Sequence, residues 1–192
     1  MTRSRREPAI GPAPGRLELV RAFVNTLDIE AGTDELSSPA ALDAWLRSRD
    51  LIGPGHDRAT GDNLRQALVM REALRDVLLT HVGSQDAVPV PASELRSTAA
   101  GLVMRLDVGD EGAVQVVPAG QNTGAGLAAL LLIAADAATL GTWTRLKVCS
   151  ADDCRWAFYD RSPTRSGCWC SMAVCGSRAK SRAYRQRAAA QR

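Results

Sequence analysis

Five cysteines crowd into 27 residues, Cys149 to Cys175, of a chain of 192. Cys149 and Cys154 form a Cys-x4-Cys pair, and after 15 residues Cys170 and Cys175 form a second. Doubled spacing of this kind suits four thiolates around one zinc ion. The segment is rich in Gly, Ser and Arg and too short to bury an apolar core that would hold its shape. Metal binding supplies that free energy, on the order of 10–16 kcal/mol in small zinc modules. Four thiolates complete the tetrahedron, so the expected Zn2+ is single and structural and does not activate water. Cys168, two residues before Cys170, could compete as a ligand, but the repeated spacing favours Cys170 and leaves Cys168 a spare thiol.

Charge divides the chain at the same place. Residues 145–192 carry 11 Lys/Arg and 3 Asp, a balance of +8, whereas residues 1–144 carry 13 Lys/Arg and 18 Asp/Glu, a balance of −5. An acidic body therefore precedes a tail suited to polyanions. Residues 1–16 have charge but no apolar core behind it, so no secretory signal is read there. The longest apolar run, Leu127 to Leu140, contains Asp136 and reads as a buried helix, not a membrane span. A reducing cytoplasm is the expected compartment, which favours metal over disulfides.

In chain order, residues 1–15 read as a disordered lead-in. Leu17, Val20, Val24 and Leu27, with Phe23, mark a helix that EAGTDEL breaks. Ser38-Pro39 opens a second helix, which carries Leu42, Trp45 and Leu46 inward and ends near Leu51. A third runs from about Gly61 to Val82 with Leu64, Leu68, Leu74, Leu78 and Val82 on one side. Arg71 and Arg75 fall within that apolar stripe. They must reach water by snorkelling or pair with Asp28, Glu30 or another carboxylate, or else form an anion or small-ligand site. Residues 84–93 read as a Pro-rich loop and Ala92–Ala99 as a short helix. Leu102–Val108 and Ala113–Val117 read as a β-hairpin, and Thr123–Leu140 as an apolar helix ended by Gly141. No phosphate loop, nucleophile elbow or useful carboxylate pair is present. His56 and His81 lack partner sets, so the chain is not expected to be an enzyme.

The segment RLKVCSADDCRWAFYDRSPTRSGCWCSMAVCGSRAKSRAYRQR resembles the CGNR zinc finger found at the C-terminus of bacterial transcription regulators. The matching pieces are R-L-K-x-C-x4-C-x-W-x-F-x-D-x-S and W-C-S-M-x2-C-G-x-R-x-K-x-R-x-Y-R-x-R. FVNTLDIEAGTDEL, SPAALDAWL and REALRDVL are similar to the ABATE domain of the same family. The resemblance implies an α+β fold: a mainly helical ABATE-like domain with a small β-hairpin over residues 16–143, and a treble-clef-like zinc module over 144–192. It places zinc on Cys149, Cys154, Cys170 and Cys175. The name-giving Cys-Gly-Asn-Arg reads Cys175-Gly176-Ser177-Arg178 here, with Ser177 available as a backbone cap, and Cys168 stands where the family is often basic.

Behind the knot, Arg178, Arg182 and Arg185 share one helical face, with Lys180 and Arg187 opposite. Trp156, Phe158 and Trp169 are expected beside the metal, leaving Tyr184 as the stacking or phosphate-contacting aromatic. These residues point to a DNA-binding transcription regulator whose front domain serves dimerisation or ligand sensing. A homodimer and an unidentified small ligand are the further expected partners. The alternatives are an RNA-binding protein, using the same helix and Tyr184, and a zinc-braced protein-interaction module.

Overall fold

A computed structural model describes residues 11–55, 58–82 and 93–190. Most of the assigned lead-in, His56 and most of the Pro-rich loop lie outside the described residues. The elements are α1 (Leu17–Val24), a two-residue strand pair β1 (Leu27–Asp28) and β2 (Thr33–Asp34), α2 (Pro39–Arg47), α3 (Gly61–Thr80) and α4 (Ser93–Ala100). An antiparallel ribbon follows, β3 (Met104–Val108) and β4 (Val114–Pro118), then α5 (Thr123–Thr139). The chain closes with the antiparallel pair β5 (Leu146–Val148) and β6 (Ala157–Tyr159), a single π-type turn at Met172–Gly176, and α6 (Ser177–Ala190). The fold is α+β, as expected. No helix among the described residues is long and apolar enough to cross a membrane.

Local chemistry accounts for most boundaries. Ser38 caps α2 by accepting the Ala41 N–H at 3.1 Å, with Pro39 at the first helical position. Thr60 and Asn63 form a reciprocal capping box at the start of α3. α5 ends at Thr139, and just beyond it Gly141 has a φ of +68°, the left-handed conformation glycine adopts without strain. The α2 helix stops at Arg47, earlier than its apolar periodicity suggests. Asp50 turns left-handed, the Leu51 N–H reaches back to the Leu46 carbonyl, and Leu51 is buried from beyond the helix end.

The expectation that Leu27 continues the first helix is corrected. α1 ends at Val24, and Leu27 lies in β1. Asn25 leaves the helix because its amide has a better use. Its Nδ2 donates to the Ala157 carbonyl at 2.9 Å and its Oδ1 accepts the Ala157 N–H at 2.7 Å, so it pairs with the edge of β6 as a neighbouring strand would. Thr26 adds a bond from its hydroxyl to the Phe23 carbonyl.

The core joins α1, α2, α3 and α5 through Val20, Phe23, Leu42, Leu46, Leu74, Leu78, Leu127 and Leu130, all buried. A side chain at Gly126 would meet Ile52 at 3.0 Å and Leu46 at 3.2 Å, so glycine there sets the approach of α5 to α2. The same core includes Leu146, Val148 and Ala157. It therefore runs without a break past residue 144, and the β5–β6 hairpin that opens the cysteine segment is packed as part of the body.

His81 stands at this seam. Its Nδ1 lies 2.8 Å from the Leu146 carbonyl, and its ring meets Trp143 edge-on. Burial holds its pKa below the ordinary 6.5, with the Lys147 charge adding to that shift and the Leu146 bond opposing it. Between the folded pKa and about 6.5 the unfolded chain binds the extra proton, so stability falls as pH drops through this window. In His81→Gln that part of the pH dependence disappears, as urea unfolding at stepped pH will show. Asn25→Ala leaves both backbone groups of Ala157 buried without partners. It should lower stability by about 2–4 kcal/mol in the same assay.

Candidate metal centre and nucleic-acid interface

The path of the chain brings the four predicted thiols together. Cys149 follows directly on β5, its N–H bonded to the Trp156 carbonyl across the hairpin at 2.9 Å. Residues 151–155 turn tightly, with Arg155 left-handed at φ +48°, and return Cys154 to the same point. Cys170 precedes Ser171, whose hydroxyl caps the π-type turn by accepting the Val174 N–H at 3.3 Å. That turn carries Cys175 back over Cys170. All four sulfur atoms lie within 4.8 Å of one another and all four residues are buried. Cys154 and Cys170 are 3.6 Å apart at sulfur, and Cys170 and Cys175 3.7 Å.

Those separations test the fit of a metal. Zn–S bonds of ~2.3 Å in a tetrahedron put the sulfurs roughly 3.8 Å apart, whereas a disulfide needs about 2.05 Å. The cluster matches the first distance. The thiols also depend on one another: hydrogen bonds from Cys154 and Cys170 lower the Cys149 pKa, and the same contact with Cys149 raises that of Cys170. Burial and the charge of Cys149 raise that of Cys175. A thiolate at Cys149 thus opposes ionisation of Cys170 and Cys175, so four thiolates together require a bound cation. The site fits one structural Zn2+, whose charge offsets the repulsion among the thiolates and which leaves no open position. Cys168 stands apart from the cluster, half-buried, its carbonyl accepting the Ser150 N–H.

Trp156 and Phe158 are buried against the cysteines, and Trp169 packs beside them. These aromatics form the small core expected of them. Of the two serines able to open the helix, Ser171 is the one that caps, and Ser177 takes another partner. Its hydroxyl donates to the Met172 carbonyl at 3.2 Å, while Ser171 performs the capping, because the π-type turn precedes Ser177 and satisfies the local N–H groups. Gly176 allows a close approach: a side chain there would press on Met172 Sδ at 3.0 Å and Trp169 at 3.3 Å.

The residue reading missed a second brace. Lys147 and Asp160 are fully or nearly buried and paired at 2.8 Å. Asp160 also accepts the N–H groups of Ser162 (2.9 Å) and Gly167 (2.8 Å), and Lys147 also donates to the Arg165 and Gly167 carbonyls. Burial opposes ionisation of Asp160, yet Lys147 and these donors hold its pKa well below the carboxylate range. This network shapes the 160–167 loop that delivers Cys170. A lysine between Leu146 and Val148, flanked by apolar residues on a strand, is the signal that could have revealed it.

Arg71 and Arg75 are brought together, with their donors turned inward. Arg71 grips Asp34 with both terminal nitrogens, at 2.7 and 2.9 Å, and reaches Glu72 and Thr26. Arg75 binds Glu72 and the carbonyls of Val24 and Arg155 at 2.7 Å each. The carboxylates are Asp34 and Glu72, not Asp28 or Glu30, since β2 carries Asp34 across α3. The pair acts as an internal clasp between α1, the β1–β2 turn and the zinc-side turn at Arg155.

No residue of α6 is buried. Arg178, Arg182 and Arg185 line one cleft together with Val174, Ser177 and Ser181. Lys180 and Arg187 lie away from that cleft, and Tyr184 is exposed. Two of the arginines also meet carboxylates: Arg178 pairs with Glu30 of the body at 3.0 Å, and Arg182 approaches Asp153 of the cysteine segment at 3.8 Å. For the metal centre, Cys168→Ser should retain one zinc per chain by elemental analysis. Cys170→Ser should lose it, together with the near-ultraviolet signal of Trp156 and Trp169.

Comparison with known families agrees with this layout. Residues 145–188 match the CGNR zinc finger, and residues 17–142 match the ABATE family, described as "Putative stress-induced transcription regulator". No curated protein matches the chain. With the second match spanning well over half of the sequence, the chain belongs to the ABATE family and carries a CGNR zinc finger behind that domain.

Proposed function

We propose that the chain regulates transcription by binding duplex DNA through α6, with the zinc knuckle holding that helix at a set angle to the body. The observation that carries this reading is a helix with no buried residue and five cations, Arg178, Lys180, Arg182, Arg185 and Arg187. Such a helix gains nothing from the core. Its charge has a natural counterpart in a phosphate backbone, and exposed arginines can also reach base edges in a groove. Arg178, Arg182 and Arg185 supply the face toward the nucleic acid. Tyr184, Lys180 and Arg187 flank it and reach phosphates on either side. The acidic body keeps the remaining surface away from the polyanion, and the N-terminal domain serves pairing or ligand sensing.

The Arg178–Glu30 contact adds a competing element. An exposed pair of this kind contributes about 0–1 kcal/mol, which DNA must overcome to recruit Arg178. The zinc-loaded chain should enrich one motif from a random duplex pool. If all five cations engage phosphates, log affinity against log salt should fall with a slope of ~−4 to −5. Arg178→Glu with Arg182→Glu should abolish binding, while Glu30→Gln should strengthen it by up to about five-fold. Binding that ignores salt and survives the double reversal would sink the reading and leave a protein-interaction module. Preference for duplex RNA of equal length in direct competition would transfer it to RNA.

A further inference from the structure

The β3–β4 ribbon leaves an apolar face open to solvent. Its register places Met104 opposite Pro118, Leu106 opposite Val116 and Val108 opposite Val114, so one face is an unbroken apolar ladder. That face looks outward: Leu106 is 70% exposed, Val108 66% and Val114 65%. The other face carries Val117 with three polar residues that satisfy one another, Arg105 paired to Asp107 at 2.5 Å and Gln115 donating to the same carboxylate. An antiparallel sheet normally covers its apolar face and wets the polar one. No third strand pairs with either edge among the described residues.

We propose that the ladder is a dimer interface, packed face to face against the same ladder of a second copy about a two-fold axis. Self-matching favours this occupant over others. The middle rung, Leu106–Val116, lies at the centre, and a two-fold rotation through it sets Met104–Pro118 of one ribbon beside Val108–Val114 of the other. No charged side chain lies on the face, so nothing there selects a charged partner and nothing repels a copy. The net charge of only +3 leaves little long-range repulsion between chains. The exposed apolar surface is on the order of 500 Å² per copy, comparable to patches that mark interaction sites. With a polar rim it approaches the ~800 Å² per partner of a standard interface. The inference goes beyond the DNA-binding reading and does not depend on it, although pairing would bring two basic helices to one duplex.

Light scattering coupled to size exclusion tests it on the full zinc-loaded chain. The wild type should run at twice its 20.5 kDa and dissociate on dilution. Leu106→Lys and Leu106→Glu should each run as monomers with unchanged zinc content and far-ultraviolet dichroism, and mixing the two should restore the dimer. Arg105→Gln, on the polar face, should remain dimeric. A monomeric wild type at every concentration overturns the proposal. So does a dimer that both Leu106 variants leave intact, or a failure of the mixed variants to pair. Should either variant misfold, hydrogen exchange in wild-type residues 103–118 decides. Protection that rises with protein concentration supports the interface, and protection that does not change refutes it.

Discussion

The β5–β6 hairpin is claimed from two sides at once, and the rest of the molecule depends on that double claim. On one side Leu146, Val148 and Ala157 are buried in the helical core, and Asn25 completes the edge of β6 with its own amide. On the other, Cys149 and Cys154 lie at the end of the hairpin and begin the metal cluster. Lys147 and Asp160 are buried between these regions, where an unpaired charge would be strongly destabilising. The metal site is thus rooted in the body instead of swinging on a linker. A zinc knuckle needs metal to fold, but here its orientation comes from apolar burial and from carbonyls gripped by Arg75 and Lys147.

Rigidity of that kind explains how α6 can be bare. A helix with no buried face has little tertiary support, and its stability comes from what precedes it. The π-type turn, capped by Ser171 and closed onto Cys170 and Cys175, delivers the first turn of α6 in position. Positive charge is then concentrated on the helix while the body is acidic, and one arginine, Arg178, rests against a body carboxylate, Glu30. The contrast between a metal-braced cationic helix and an acidic, mostly helical domain is the electrostatic design of this family member.

Much of this was legible in the residues because the signals were local. The Ser38-Pro39 start, the Gly141 stop, the alternation of the β3–β4 ribbon and the doubled cysteine spacing each depend on a few neighbouring side chains. Leu27 and Leu51 were misplaced because periodicity measures which residues turn inward, not whether a helix carries them there. Asn25 and Asp50 ended those helices, the first through a partner 132 residues away and the second through a left-handed turn. Lys147 and Asp160 were passed over as ordinary charges, since burial of a charge shows only when the chain folds over it.

By itself, then, the sequence determined the four metal ligands, the charged helix behind them and the helical character of the body. Spacing, charge and short-range hydrogen bonding act within a few residues. Only the tertiary structure decided which carboxylates hold Arg71 and Arg75, that the core crosses into the cysteine segment, and which face of the ribbon is left open to solvent. Those outcomes depend on residues distant in sequence meeting under one packing constraint, and no local pattern encodes such a meeting.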